Sequence, residues 1–428
     1  MRRVLLLSHT TGYQLRAFND AAEQLGIELV FATDRCHRLD DPWQDRAVAV
    51  RFHEPDASLA AIAARARQVR IDGVIAVGDR PVVLAARAAE ALGLRWHSVA
   101  GGLASTDKRR SRAALMAAGL PSPHYVSVPA AVSARPAAEQ VPAYPVVLKP
   151  VGLSGSRGVI RADDTRQFEA AYDRIRALLA RPQIRAARAG LGDHILVEEY
   201  IDGREFAIEG VMTDGVLQVF ALFDKPDPLE GPFFEETIYV TPSRLTADRQ
   251  TRVAETIQQA AAALGLRHGP IHAECRMTPD GATYVLETAA RPIGGLCSRA
   301  LAFDDQSART PSTPLEHVLL RHAVGESLLG VRRETAASAV MMVPIPERGM
   351  LRGVSGEAAA REVGGVSEIR ITAKPGQILE PLPEAGSYLG FLFARGETAR
   401  DAETAVRRAH ACLHFDISRE IAMARPPS

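Results

Sequence analysis

The segment Gly269–Gly295 reads GPIHAECRMTPDGATYVLETAARPIGG. Apolar and polar residues alternate towards Met277, and Thr278–Pro279–Asp280–Gly281 supplies turn chemistry. Tyr284–Val285–Leu286 then returns to Glu287, which is the pattern of a β-hairpin. Glu274 and Glu287 are thirteen residues apart, so a turn near Asp280–Gly281 sets the two carboxylates side by side. Paired carboxylates with Arg291 four residues on suit a hard divalent cation and a phosphate. An ordinary amphipathic hairpin with two solvated acids would carry the same pattern. The rest of the chain decides between the two.

At roughly 100–200 residues per domain, a chain of 428 residues holds several domains. Hydrophobic content of 46% and charge of 24% are ordinary for a globular protein with a sizeable core. Lys+Arg 51 balances Asp+Glu 51, so no global field favours nucleic acid or an anionic membrane. Phosphate chemistry must come from local arrangements. Cys36, Cys275, Cys297 and Cys412 are scattered without a CxxC pair, which indicates neither a disulfide framework nor a zinc site. The opening MRRVLLLSHT has too short an apolar run for a signal peptide and suits a buried first strand. No stretch reaches the length of a membrane span, and a cytoplasmic location is the expectation.

Residues 1–105 alternate strands with helices: Arg3–Ser8, the helix Thr11–Leu25, Ile27–Ala32, Ala47–Phe52, the helix Ala57–Val69, Gly73–Val77 and the helix Val82–Leu92. That alternation predicts an open parallel sheet. The turn SHTTGYQ lacks a dinucleotide fingerprint, and His9 and His97 read as structural. A helix from Asp107 to Leu120 carries Lys108 in its first turn, and Tyr144–Pro150 is a buried strand ending at Lys149. Ser133–Val141 reads as an exposed loop. Gly152–Val159, GLSGSRGV, offers backbone N–H groups and the Ser154 and Ser156 hydroxyls to an anion, ahead of a second strand. Meandering strands from Ile195 to Phe223 indicate an antiparallel sheet, and Ala247–Leu266 is an amphipathic helix leading into the hairpin. After Gly295 the chain reads as loop through Ser312, followed by a small α+β part with a strand at Ser387–Ala394 and a helix at Ala399–Leu413.

Taken in order, Lys108, Lys149, the glycine-serine loop, Glu198–Glu199, Glu205, Glu274, Glu287 and Arg291 resemble the ATP-grasp superfamily of carboxylate–amine ligases. The C-terminal SYLGFLFARGET…AVRRAHACLHF resembles the L-amino acid ligase branch. The resemblance implies an α/β and α+β chain of three parts: a parallel-sheet domain (1–105), an ATP-grasp domain (106–310, with a lid at about 120–200) and a C-terminal domain (311–428). It implies an ATP-dependent carbon–nitrogen ligase, ADP-forming, that works through an acyl phosphate with Mg2+, or Mn2+ in its place.

The resemblance also implies roles for single residues. Lys108 and Lys149 would bind ATP phosphates, and Gly152–Gly158 would close over them through Ser154, Gly155, Ser156 and Gly158. Glu198 would accept from the adenine amino group, the backbone of Glu199, Tyr200 and Ile201 would read the ring edge, and Glu205 would hold the ribose. Glu274 and Glu287 would hold magnesium, and Arg291 would neutralise charge on the transferred phosphoryl group. Glu236 in PFFEE would hold the amino group of the first amino acid; Lys225 in FDKPDP reads equally as facing the site or as a solvated lysine. Gly294–Gly295 would shape a roomy side-chain pocket. Ala289 stands where many members carry a metal-binding asparagine, which leaves the second ion to Glu287, phosphates and water. The substrates would be amino acids, with no nucleic acid or membrane partner and a homodimer as the default. The alternatives are a biotin-carboxylase-like or purine-pathway ligase, and an ATP-binding scaffold without catalysis.

Overall fold

The computed structural model describes residues 1–9, 14–34, 47–187, 193–304 and 312–419. Cys36 and the expected helix start at Thr11 lie outside them. Strands β1 (Arg2–Ser8), β2 (Ile27–Thr33), β3 (Val48–Ala49) and β4 (Gly73–Val77) form a parallel sheet in the order β3-β2-β1-β4. Val4–Leu7 is wholly buried because helices cover both faces, which is why the run is continuous rather than alternating. Gly73 is required where β4 begins: a side chain there would collide with the Ala323 carbonyl of the helix Leu315–Ala323.

A second sheet, in the order β5-β8-β6-β7, joins β5 (Tyr125–Pro129), β6 (Val146–Pro150), β7 (Ile160–Ala162) and β8 (His194–Glu199). Together with the helix Thr165–Leu179 it encloses its own core around Phe168, Tyr172 and Ile175. The expected loop at Ser133–Val141 is corrected: Ala134–Ala138 is a short helix whose Ala134, Ala137 and Ala138 are buried in this core. Packing here overrides a composition that reads as loop.

The central sheet has eight strands. β9 (Arg204–Thr213), β10 (Val216–Asp224), β11 (Ile238–Thr241), β12 (Gly269–Met277) and β13 (Thr283–Ala289) supply five of them, in the order β13-β12-β9-β10-β11. The sheet then continues without a break into Ala337–Val343, Gly390–Gly396 and Val366–Ile371, all antiparallel. Three C-terminal strands therefore extend the central sheet across residue 311, while Gly349–Ser355, Ile378–Leu379 and His414–Ser418 form a small sheet of their own. The stretch read as loop after Gly295 contains a 3-10 turn at Cys297–Ala300 and a short strand at Ala302–Asp304. The terminal helix Ala399–Cys412 opens with a capping box between Thr398 and Asp401.

Candidate active site

β12 and β13 pair so that Glu274 lies directly opposite Glu287. A bulge at that point inserts Leu286 into β13, which aims both Leu286 and Glu287 at the cavity beneath. Period two does the rest on β12, where His272, Glu274 and Arg276 all line that cavity. Its volume is about 460 Å³. Of the residues the sequence placed at the site, Gly158 and Lys225 do not line it, and the others do: Lys108, Lys149, Ser154, Gly155, Ser156, Glu198, Glu199, Tyr200, Ile201, Glu205, Glu236, Glu274, Glu287, Arg291, Gly294 and Gly295.

Cations and carboxylates in the cavity pair closely. Asp107 caps the helix Lys108–Ala117 by accepting from the Arg109 and Arg110 N–H groups. The adjacent Lys108 Nζ donates to the Leu153 carbonyl at 2.8 Å and lies 3.4 Å from Glu287. Lys149 Nζ is 2.6 Å from Glu198 Oε2. Burial lowers the Lys149 pKa, and the Glu198 charge only partly opposes this. In the loop between β6 and β7, Gly155, Ser156 and Gly158 all adopt positive φ (65°, 55° and 70°), a backbone shape that turns N–H groups into one concavity.

At three of the expected ATP contacts, protein groups already have partners within the fold. Glu198 is buried, and Arg112 Nε donates to its other oxygen at 2.7 Å. Burial resists its ionisation, but Arg112 and Lys149 outweigh that and hold its pKa at about 2. Both of its oxygens are thus engaged within the protein, by Arg112 and Lys149. The Gly158 N–H donates to the Pro383 carbonyl at 2.8 Å, so it is not available to a phosphate. Of the Glu199–Ile201 backbone, the Glu199 and Tyr200 N–H groups already donate to the His124 and Pro145 carbonyls.

Lys225 organises the opposite wall. Its buried ammonium lies 2.7 Å from Glu205, 2.6 Å from Glu236 and 3.4 Å from Glu274. These three carboxylates come close enough to ligate an ion, yet the ammonium already stands among them. Burial and the Glu274 charge push Glu236 up to about 7, against the pull of Lys225. For Glu274, burial acts against ionisation, and Lys225 and His272 outweigh it, so its pKa falls well below the usual range. Glu205 also accepts from Arg276 Nε at 3.1 Å, so its ribose-facing role must share an engaged carboxylate.

Sequence reasoning missed the contribution of the first sheet. Asp79 follows β4 and accepts from Arg291 Nε at 2.8 Å and from Ser154, tying the glycine-serine loop to Arg291. Its position at the carboxyl end of a parallel strand was the available signal. His272 was missed as well, although alternation alone puts it on the Glu274 face. Its Nδ1 lies 3.1 Å from the buried Glu209, whose carboxylate also accepts from the Ile293 N–H at 3.0 Å. Burial lowers the His272 pKa, but Glu209 and Glu274 overcome this and push it up to about 9. Tyr388, Phe391, Cys297 and Met342 complete an apolar end beside Gly294 and Gly295. Gly295 has φ 61°, and a side chain there would press on the Phe391 ring.

A glycine-serine nest, two strand-borne carboxylates paired in register and two lysines line one cavity on this sheet architecture, an arrangement that fits the ATP-grasp class. The chain belongs to the ATP-grasp superfamily: residues 142–300 match the ATP-grasp domain and 19–94 the ATP-grasp N-terminal domain. Residues 341–418 match the L-amino acid ligase C-terminal domain 2. An uncharacterised protein of Sinorhizobium fredii is 28% identical over 73% of this chain and 61% of its own length. The alanine–anticapsin ligase of Bacillus subtilis strain 168 is 31% identical over 49% of this chain and 46% of its own length. The chain thus spans roughly half the length of the curated relatives it matches. The crystal structure of the L-amino acid ligase from Bacillus licheniformis superposes over 98% of this chain and 99% of that one. Its TM-score is 0.80 at 24% identity, a likeness of fold.

Proposed function

We propose that the protein is an ATP-dependent ligase that joins the carboxylate of one amino acid to the amine of a second, releasing ADP and phosphate. The observation that carries this is the Glu274–Glu287 pair, which shares one cavity with Lys108, Lys149, the glycine-serine nest and Arg291. The L-amino acid ligase match at the C-terminus and the alanine–anticapsin ligase relative support it over a bicarbonate- or purine-directed ligase of the same fold.

Lys108, Lys149 and the nest amides would hold the ATP phosphates, and Glu274 and Glu287 the magnesium. When bound, magnesium would supply neutralisation of phosphate charge. Carboxylate donor sets fit such an ion, and Ala289, buried and without a donor atom, leaves these two glutamates as the protein's contribution on the hairpin. A free carboxylate is a poor acyl donor because oxide would have to leave. Transfer of the γ-phosphoryl group to the donor's carboxylate oxygen makes an acyl phosphate. The acceptor nitrogen then attacks its carbonyl carbon, phosphate departs and the nitrogen loses a proton. Arg291 faces the charge on the transferred group, and Glu236, braced by Lys225, holds the donor's amino group. The same reading puts the protein in the cytoplasm, as a homodimer by default. Among the described residues no helix is long and apolar enough to cross a membrane.

Phosphate release measured with pairs of L-amino acids tests the proposal. Release should exceed the ATP-only rate for at least one pair, with a dipeptide of matching mass. Nucleotide binding without amino-acid-stimulated release would point instead to a non-catalytic scaffold.

A further inference from the structure

In the order β3-β2-β1-β4 the chain runs one way from β1 to β2 and the other way to β4. The crevice of such a sheet opens at the carboxyl ends of the two strands flanking the reversal. Here those ends are Ser8–His9 and Val77–Pro81, and His9, Gly78, Asp79, Arg80 and Pro81 all line the active-site cavity. The first sheet therefore forms one wall of the cavity, with Asp79 in contact with Arg291 and Arg80 next in the chain.

The lysines and arginines lining the cavity differ in how firmly they are held. Lys108, Lys149 and Arg291 each have a partner within 2.8 Å, and Arg276 is buried and bonded to Glu205 and the Ile201 carbonyl. Arg80 is different: its ion pair with Asp34 is 3.5 Å long, its guanidinium lies 5.6 Å from the centre of the Phe52 ring, and its side chain is 34% exposed. His9 lies 3.2 Å from the same Asp34 carboxylate.

We infer that Arg80 binds the carboxylate of the amine-donating substrate, so that the acceptor class is an amino acid with a free carboxylate rather than ammonia or a simple amine. This rests on the ligase reading. Once the ATP phosphates and the transferred phosphoryl group engage Lys108, Lys149 and Arg291, Arg80 is the cavity arginine with the loosest partner. It also follows Asp79, the partner of Arg291, in the chain and lines the same cavity. The planar guanidinium offers a carboxylate two parallel donors, a better match than its long contact with Asp34.

The test compares steady-state phosphate release by the wild type, Arg80→Gln and Arg80→Lys, with L-amino acids and their carboxamides as acceptors at saturating ATP and donor. Arg80→Gln should raise KM for the free amino acid about ten-fold or more. KM for the carboxamide and for ATP should stay unchanged, and Arg80→Lys should recover part of the loss. Equal increases for acid and carboxamide, no increase for either, or a wild type indifferent to the carboxylate would each overturn the assignment. In those three cases amino-acid-dependent release persists and the ligase reading survives. Absence of such release from the wild type overturns both.

Discussion

Lys225 carries the charge balance of the cavity wall. Three carboxylates converge on one buried ammonium, and burial makes each of them depend on it. Removing one partner of a buried ionic group leaves uncompensated charge, which costs far more than the pair contributes. Lys225→Met should therefore lower the free energy of unfolding by about 3–5 kcal/mol. Urea titration at pH 7.5 measures this, and a loss below about 1 kcal/mol would mean that the glutamates repel one another less than their spacing demands. Arg291 has a different weight. It meets charge that develops in the reaction, so Arg291→Gln should cost about 100- to 1,000-fold in kcat for phosphate release, with a much smaller change in KM for ATP. A KM effect equal to the kcat effect would assign it to ground-state binding instead.

At the scale of elements, the sheet β5–β8 with its helix behaves as a unit with its own core, and named contacts dock it to residues 380–386. Arg174 pairs with the Glu384 carboxylate through Nε and Nη2, and Arg181 with that of Glu380 through its two Nη atoms. Arg157 reaches the Glu384 carbonyl. This strap holds the glycine-serine loop over the cavity. Partly exposed ion pairs contribute at most about 1 kcal/mol each and weaken in salt. The double variant Glu380→Gln/Glu384→Gln should raise KM for ATP about two- to ten-fold at low salt. The wild type should approach the variant as salt is added, and a KM gap that persists in concentrated salt would refute an electrostatic strap. The hairpin was legible beforehand because alternation, turn chemistry and carboxylate spacing are all local. The strap was not, because the partners of Arg157, Arg174 and Arg181 lie some two hundred residues away and leave no mark on the local sequence. Arg112 was hidden in the same way: within KRRSR nothing distinguishes the one arginine that turns inward to Glu198.

At the scale of the molecule, the apolar core does not follow the three sequence segments. One cluster runs from Leu5 and Leu7 of the first sheet through Val253 and Ile257 to Ile271 and Val285 of the hairpin. Reading the chain in order shows the elements but not this continuity, since burial against a distant sheet leaves no mark on local periodicity. The seam also buries histidines. His97 Nε2 donates to the Pro270 carbonyl at 2.9 Å, while His268 and His322 stack at 4.5 Å and His322 meets Thr213. Burial, reinforced by the neighbouring rings, pulls His97 and His322 down to about 4. In the fold these rings stay neutral, whereas in the unfolded chain they take up protons below about pH 6.5. Stability from this source is thus complete above pH 6.5 and declines as pH falls towards 4. For His97 alone the shift corresponds to about 3 kcal/mol at most, and the shared surroundings of the two rings keep their effects from adding. His97→Gln keeps a donor for Pro270 and removes the titration. Thermal melts from pH 7.5 to 4.5 should show the wild type losing stability more steeply than the variant below pH 6.5. Parallel curves would show that the seam admits a charged ring, and that the first sheet is held to the hairpin by apolar packing alone.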